Sequence, residues 1–313
     1  LVWQGQQRAH DRSLRLCLTD RQLLEHEKRG MTSMQMLRDR FAVVGNPIGH
    51  SLSPAIHSAF AKQTNQAIDY QAVLVAVDSF EQWVQQFFDD GGHGLNVTLP
   101  FKTRAFTLAD QASPRAQAAG AANFLMRDEA GSIIADNTDG RGLVTDMTVN
   151  AGWLLRGARI LILGAGGAVR GVIPALLAEV PHCLFVANRT PERAQQLAQH
   201  WTSDAVPVSG GGYQAIPTEP WDLIINGTST GLSNEMPALS SSMGLAPQCR
   251  AYDMAYGRAP TPFREWASAH GVVEVLDGLG MLVEQAAESF FLWRGEHPET
   301  TSVVSSLRAA PGD

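Results

Sequence analysis

Four short strings in this chain gather residue types suited to acid–base work on a small polar ligand. They are NPIGHSLSP (46–54), NVTLPFK (96–102), AGAANF (119–124) and DNTDG (136–140). Between them they supply the hydroxyls of Ser51, Ser53 and Thr98, the carboxamides of Asn96 and Asn123, the ammonium of Lys102 and the carboxylate of Asp139. An ammonium beside a carboxylate can hold and deliver a proton, while hydroxyls and carboxamides can grip polar substituents. Each group also admits a plain structural role: Ser51 and Ser53 as helix caps, Asn96 in a turn, Lys102 on the surface, Asp139 capping the helix that follows. Residue type and spacing leave both readings open.

A second chemistry is written at GAGGAVRG (164–171). The apolar run ARILIL (158–163) precedes it and a helical pattern follows, which is the strand–loop–helix setting of a dinucleotide site. Gly164 permits the tight turn and Gly166 lets the backbone approach a pyrophosphate, in a string that also holds Ala165, Gly167 and Ala168, and the helix N-terminus beyond offers free N–H groups. The end of the next strand selects the cofactor. NAD sites place an acid there, about 20 residues on, to accept from the ribose hydroxyl. Here the strand ends in Asn188-Arg189-Thr190, with Arg193 one turn further. Two guanidiniums and a hydroxyl suit a 2′-phosphate, so NADP is expected rather than NAD.

The elements that must position these groups alternate along the chain. FAVVG (41–45) reads as a strand, and a helix follows from about Pro54 with Ser53 as its expected cap. QAVLVAV (71–77), GLNVTL (94–99) and SIIADN (132–137) read as strands, with helices over 80–89 and from Lys102. Beyond ARILIL, the runs CLFVANRT (183–190), WDLIIN (221–226) and AYDMAY (251–256) are further strands, SGGG (209–212) is a loop, and the tail from Gly278 is helical. The expectation is an α/β protein with a largely parallel sheet. Its division is an extension over 1–40, a substrate-binding domain over 41–139 with 278–313, and a Rossmann domain over 140–277. The extension is expected to be poorly ordered apart from a short helix near 21–28. Met31, Met34 and Met36 are each candidate starts.

Composition narrows the class. The chain has 313 residues, 44% hydrophobic and 18% charged, with a net charge of −7. That balance fits a soluble globular protein with a real core and argues against a general nucleic-acid binder. Cys17, Cys183 and Cys249 are far apart, with neither disulfide nor metal spacing, so a reducing cytoplasmic setting and no metal are expected. No apolar run approaches membrane-spanning length, and the first residues lack the apolar core of a signal peptide.

Taken together, the four strings resemble the shikimate dehydrogenase family, as do NGTSTGL (226–232), YDMAYG (252–257) and DGLGMLVEQAA (277–287). The resemblance runs over about 41–300. It implies an N-terminal α/β substrate domain, a Rossmann NADP domain and C-terminal helices returning to the first. It implies NADPH-dependent, reversible reduction of 3-dehydroshikimate to shikimate, by a monomer or homodimer acting on a small molecule. Lys102 and Asp139 would be the catalytic pair. Ser51 and Ser53 would bind the substrate carboxylate, Asn96, Thr98, Asn123 and Gln285 its ring hydroxyls or carboxylate side, and Tyr256 would close over it. Residues 164–168 would hold the pyrophosphate and 188–193 the 2′-phosphate, with Thr228, Met254 and Gly278 also on the cofactor side.

The chemistry suits these types. Hydride reduction of a ketone builds negative charge on oxygen, which a cation stabilises and a proton donor completes. An ammonium does both. In the reverse direction a lysine is a poor base at neutral pH, so Lys102 is best suited to the acid's role and Asp139 to orienting it. Three departures from the family pattern stand out: Ala122 and Phe124 around Asn123, and Pro114. The phenylalanine is expected to crowd the pocket. Rival readings are a quinate/shikimate dehydrogenase, a non-catalytic ligand sensor, and a relative of methylene-tetrahydrofolate dehydrogenase or glutamyl-tRNA reductase.

Overall fold

The computed structural model describes residues 38–201, 205–228, 236–237, 239, 243–257 and 259–310. The extension up to residue 37, with its expected helix, its candidate starts and Cys17, lies outside the described residues, as does the second half of NGTSTGL.

The first sheet takes β1 (Asp39–Gly45), β2 (Ile68–Leu74), β3 (Gly92–Val97), β4 (Gln111–Ala112), β5 (Phe124–Arg127) and β6 (Ile133–Asp136) in the order β2-β1-β3-β5-β6-β4. Four helices interleave with them: α1 (Ser53–Gln63), α2 (Phe80–Asp89), α3 (Lys102–Leu108) and α4 (Pro114–Ala119). In α2 the buried residues Phe80, Val84, Phe87 and Phe88 follow helical spacing and press one face onto the sheet beside Leu95 and Val97. This sheet is parallel-rich but mixed. β3 is parallel to β1 but antiparallel to β5, and β5 is antiparallel to β6. The cause is local: Asp128–Ser132 closes a tight hairpin, Asp128 N–H to Ser132 O and Gly131 N–H to Asp128 O, both at 3.0 Å. Ser53 also departs from expectation, standing as the first residue of α1 behind Leu52 and making no side-chain cap.

The second sheet contains β7 (Arg159–Leu163), β8 (Cys183–Ala187), β9 (Val208–Gly211), β10 (Trp221–Asn226), β11 (Leu245–Asp253) and β12 (Glu274–Asp277). Every pairing is parallel, in the order β12-β11-β10-β7-β8-β9. That is the 3-2-1-4-5-6 order of a dinucleotide-binding sheet. Central strands buried on both faces must be apolar throughout, and Ile160–Leu163 are fully buried. The helices here are α6 (Gly167–Ala178), α7 (Pro191–Trp201) and α8 (Pro262–Ala269). The SGGG string is not a loop: its first three residues lie in β9, the edge strand paired to β8. Ladder bonds are made by backbone, and an edge position asks least of side chains.

Two helices join the sheets. α5 (Asp139–Thr145) leaves β6 and runs through a wide turn, Asp146–Asn150, toward β7. α9 (Leu279–Arg294) follows β12 and packs against α1 through Ile56, Phe60, Val283, Ala287 and Phe290, with α10 (Thr301–Ala309) adding Val303. α5 and α9 approach closely at Gly142, where an added Cβ would sit 2.7 Å from the Gln285 nitrogen and the Met281 oxygen. No described helix is long and apolar enough to cross a membrane.

Candidate active site

Strand direction brings the polar strings to one edge. β1 and β3 are parallel, so NPIGHSLSP and Thr98–Lys102 both leave their carboxyl ends; Asn46 N–H donates to Leu99 O at 2.9 Å and Thr98 N–H to Val44 O at 2.9 Å. β5 is antiparallel, so its start, not its end, lies at that edge, and this places Asn123 there. β6 reverses again and delivers Asn137, Thr138 and Asp139 to the same edge.

Lys102 opens α3 and Asp139 opens α5. The Lys102 Nζ stands 2.5 Å from Asp139 Oδ2, and the two side chains are only 16% and 7% exposed. Asp139 is gripped further: its Oδ1 accepts from Asn123 Nδ2 at 2.9 Å, and its own N–H donates to Asn137 Oδ1 at 3.1 Å. A part-buried ion pair with both carboxylate oxygens occupied is held in one geometry. Helix α6, which follows the glycine loop, passes directly behind. A Cβ at Gly171 would lie 3.3 Å from Asp139 Oδ2. The pair therefore sits at the seam between the two sheets, within reach of both.

Asn123, Asn96 and Gln285 converge in one buried network. Asn123 Nδ2 has three acceptors for its two hydrogens: Thr138 Oγ1 and Asp139 Oδ1 at 2.9 Å and Gln285 Oε1 at 3.0 Å. Its Oδ1 accepts from Thr138 N–H at 2.8 Å. Asn96 Nδ2 donates to Asn123 O at 3.2 Å and Ser289 Oγ at 3.0 Å, while its Oδ1 accepts from the Tyr70 hydroxyl at 2.7 Å. Both Asn96 donors are thus engaged within the protein, which casts this side chain as a brace of the site wall. Ser289, Thr138, Asn137 and Tyr70 are members that sequence reasoning missed. Ser289 was legible: it sits four residues after Gln285 on the same helix face, where the two form a buried polar pair. Tyr70 carried no signal, since a tyrosine in a half-buried strand is ordinary.

The other expected groups are placed more loosely. Ser51 Oγ accepts from Ser53 N–H at 3.3 Å, so the two serines form one turn at the head of α1. Thr98 is half-buried just past β3. Tyr256 follows β11, 40% exposed, and its hydroxyl has no hydrogen bond among the described residues. Phe124 does not crowd the site by itself: it is fully buried and stacks on Trp293, ring centroids 5.0 Å apart.

The glycine loop joins β7 to α6. Gly164 has φ +106° and its N–H donates to Ala187 O at 2.7 Å; a Cβ there would sit 2.9 Å from Gly227 O, so glycine is required. Added Cβ atoms at Gly166 and Gly167 would meet nothing within 4 Å, which leaves the head of α6 open to a ligand. The first turn of α6 has no acid. Past β8, Asn188 folds its side chain onto Thr190 O at 2.9 Å, and Arg189, Thr190 and Arg193 are exposed. Among the described residues neither guanidinium pairs with a carboxylate. Thr228 Oγ1 donates to Asn226 Oδ1 at 2.6 Å, and Asn226 Nδ2 donates to Asp253 Oδ1 at 3.0 Å. Met254 N–H donates to Asn226 O at 2.9 Å, and Gly278 N–H to Ala255 O at 3.0 Å. All five segments lie at the carboxyl ends of parallel strands, around the point where strand order reverses between β7 and β10. An open helix head, a glycine-lined approach and two exposed guanidiniums that pair with no carboxylate among the described residues fit a dinucleotide bearing a 2′-phosphate.

Comparison with known proteins agrees with this geometry. Residues 43–125 match the shikimate dehydrogenase substrate binding domain, 148–229 match shikimate / quinate 5-dehydrogenase, and 278–308 match the shikimate 5′-dehydrogenase C-terminal domain. The chain is 53% identical over 87% of its length to a protein of Alkalilimnicola ehrlichii named shikimate dehydrogenase (NADP(+)), of which it covers 99%. It is 50% identical, with coverage of 87% and 99%, to one of the same name from Marinobacter nauticus. Among solved structures, an Ael1 enzyme from Pseudomonas putida superposes with TM-score 0.81 at 44% identity, covering 87% of this chain and 99% of that one. Shikimate 5-dehydrogenase from Thermus thermophilus in complex with NADP(H) and shikimate does so with TM-score 0.75 at 32% identity, covering 86% and 98%. The chain belongs to the shikimate dehydrogenase family.

Proposed function

We propose that the protein is an NADP-dependent shikimate dehydrogenase, which reduces 3-dehydroshikimate to shikimate reversibly on the route to chorismate and the aromatic amino acids. The observation that carries this is the Lys102–Asp139 pair, part-buried at 2.5 Å and backed by Asn123 on one side and the α6 helix on the other. The division of labour follows the two sheets. Residues 41–139 with 278–313 act as the substrate domain and 140–277 as the cofactor domain, with the cytoplasm as the site of action.

Gly164–Ala168 hold the pyrophosphate on the head of α6, and Asn188, Arg189, Thr190 and Arg193 hold the 2′-phosphate. Thr228, Met254 and Gly278 line the nicotinamide side. NADPH supplies the hydride when bound. The Lys102 ammonium faces the ketone oxygen, stabilises the charge that develops there and donates the proton that completes the alcohol. Asp139 keeps that ammonium aimed and accepts from a ring hydroxyl. Ser51 and Ser53 hold the carboxylate, while Asn96, Thr98, Asn123 and Gln285 form the wall that orders the ring hydroxyls. Tyr256, exposed in this structure, covers the substrate. Steady-state oxidation of shikimate with NADP+ tests the reading: turnover supports it, and a pure, folded protein without turnover ends it.

A further inference from the structure

Tyr70 belongs to none of the motifs, yet its hydroxyl stands at the centre of the substrate wall. It donates to Asn96 Oδ1 at 2.7 Å. A carboxamide's two ends differ only in the partners offered to them. A phenol opposite Oδ1 turns the Asn96 amide so that its nitrogen faces Asn123 O and Ser289 Oγ. Burial pushes the Tyr70 phenol well above its ordinary range, so it stays a donor throughout the working pH range.

The ring itself is clamped from behind. His57 stacks on Tyr70 with centroids 4.1 Å apart and planes 9° from parallel, and Phe60 and Trp293 close the box around His57. His57 is fully buried and neither ring nitrogen has a hydrogen bond, so it serves here as a flat neutral packing surface. Swinging Tyr70 away would strand a buried hydroxyl and leave Asn96 Oδ1 without its donor, which the low-dielectric interior resists.

We infer that Tyr70 is a positioning residue for the substrate. Through the Asn96 carboxamide it sets the Asn123 main chain and the Ser289 hydroxyl, which back the wall of the site. This inference rests on the shikimate dehydrogenase reading, and it concerns binding of the acid, not the hydride or proton step.

The test is Tyr70→Phe in the full chain, assayed with shikimate and NADP+ beside the native protein. The KM for shikimate rises about tenfold, equivalent to about 1.4 kcal/mol. kcat changes by less than about threefold and the KM for NADP+ stays put, because the lost bond acts on substrate binding alone. A shikimate KM within about twofold of native overturns the inference, and so does a loss spread equally over kcat and both KM values. Should Tyr70→Phe fail to fold, Ser289→Ala unties the same carboxamide from its other end and is held to the same split. Absence of turnover in the native protein sinks the functional reading instead, so the two failures are distinct.

Discussion

Lys102 Nζ lies 2.5 Å from one oxygen of Asp139 while Asn123 Nδ2 holds the other oxygen at 2.9 Å. The carboxylate is fixed before any substrate arrives, and the ammonium is aimed by it. On the proposed function, Lys102→Ala removes the proton donor and the cation together. Its kcat falls by about 10²–10⁴, the range for a lost general acid, with a modest change in KM. Asp139→Asn keeps the oxygen that Asn123 binds and loses the charge that aims Lys102, so kcat falls about 10–100-fold. Steady-state kinetics on both variants checks this; near-native kcat in Lys102→Ala removes it from the chemistry.

On the proposed function, the exposed arginines past β8 select the cofactor. Arg189→Ala and Arg193→Ala each remove a charge-assisted contact to a 2′-phosphate and weaken NADP+ binding about 10–100-fold, while NAD+ binding barely moves. Fluorescence titration with both cofactors measures the contrast. An equal loss for NAD+ and NADP+ means the guanidiniums face something other than the 2′-phosphate.

His57 makes stability depend on acid. Burial lowers its pKa from 6.5 to about 3. The unfolded chain therefore binds one more proton than the folded chain between those values, and stability falls as pH drops from 6.5 toward 3. Above 6.5 the group contributes nothing. Between pH 7.5 and 5 the loss is about 2 kcal/mol, at roughly 1.4 kcal/mol per pH unit below 6.5. His57→Phe keeps a flat ring against Tyr70 and lacks this part of the acid sensitivity. Urea midpoints at the two pH values read the difference, and identical pH dependence in both proteins contradicts it.

Gly142 lets α5 lie against α9. Ala at this position drives a Cβ to 2.7 Å from backbone atoms of Met281 and Gln285, which must move apart. The variant loses about 1–3 kcal/mol of stability, the usual range for overpacking, and loses activity as Asp139 and Gln285 separate. Chemical denaturation with a parallel activity assay checks both; a stable, fully active variant shows that the seam yields freely.

Much of this was readable from residues, for physical reasons. The second sheet was plain because parallel strands buried on both faces must be continuous apolar runs, as in ARILIL and WDLIIN. The strand–loop–helix setting of the glycine string was legible as well, since the apolar run before it and the helix after it are both plain. The first sheet is parallel-rich as expected, but β5 runs antiparallel through the hairpin at Asp128–Ser132 and went unforeseen, because FLMR is too short to announce itself. β9 escaped because a glycine-rich edge strand is held by ladder bonds that side-chain patterning does not record. At the site, Lys102 and Asp139 were visible as types, but their meeting depends on β6 and α3 emerging at one edge, a property of topology. The network beneath them was least legible. Tyr70 and Ser289 touch Asn96 from strand and helix positions far apart in sequence, and only folding brings them together.

The central claim is most directly tested by comparing kcat/KM for shikimate and quinate, each with NADP+ and NAD+, on the native full chain. The account predicts efficient oxidation of shikimate with NADP+, weaker turnover of quinate, and a preference for NADP+ over NAD+ of at least about tenfold, the worth of one charge-assisted contact. No turnover of shikimate, or equal efficiency with both cofactors, would contradict it.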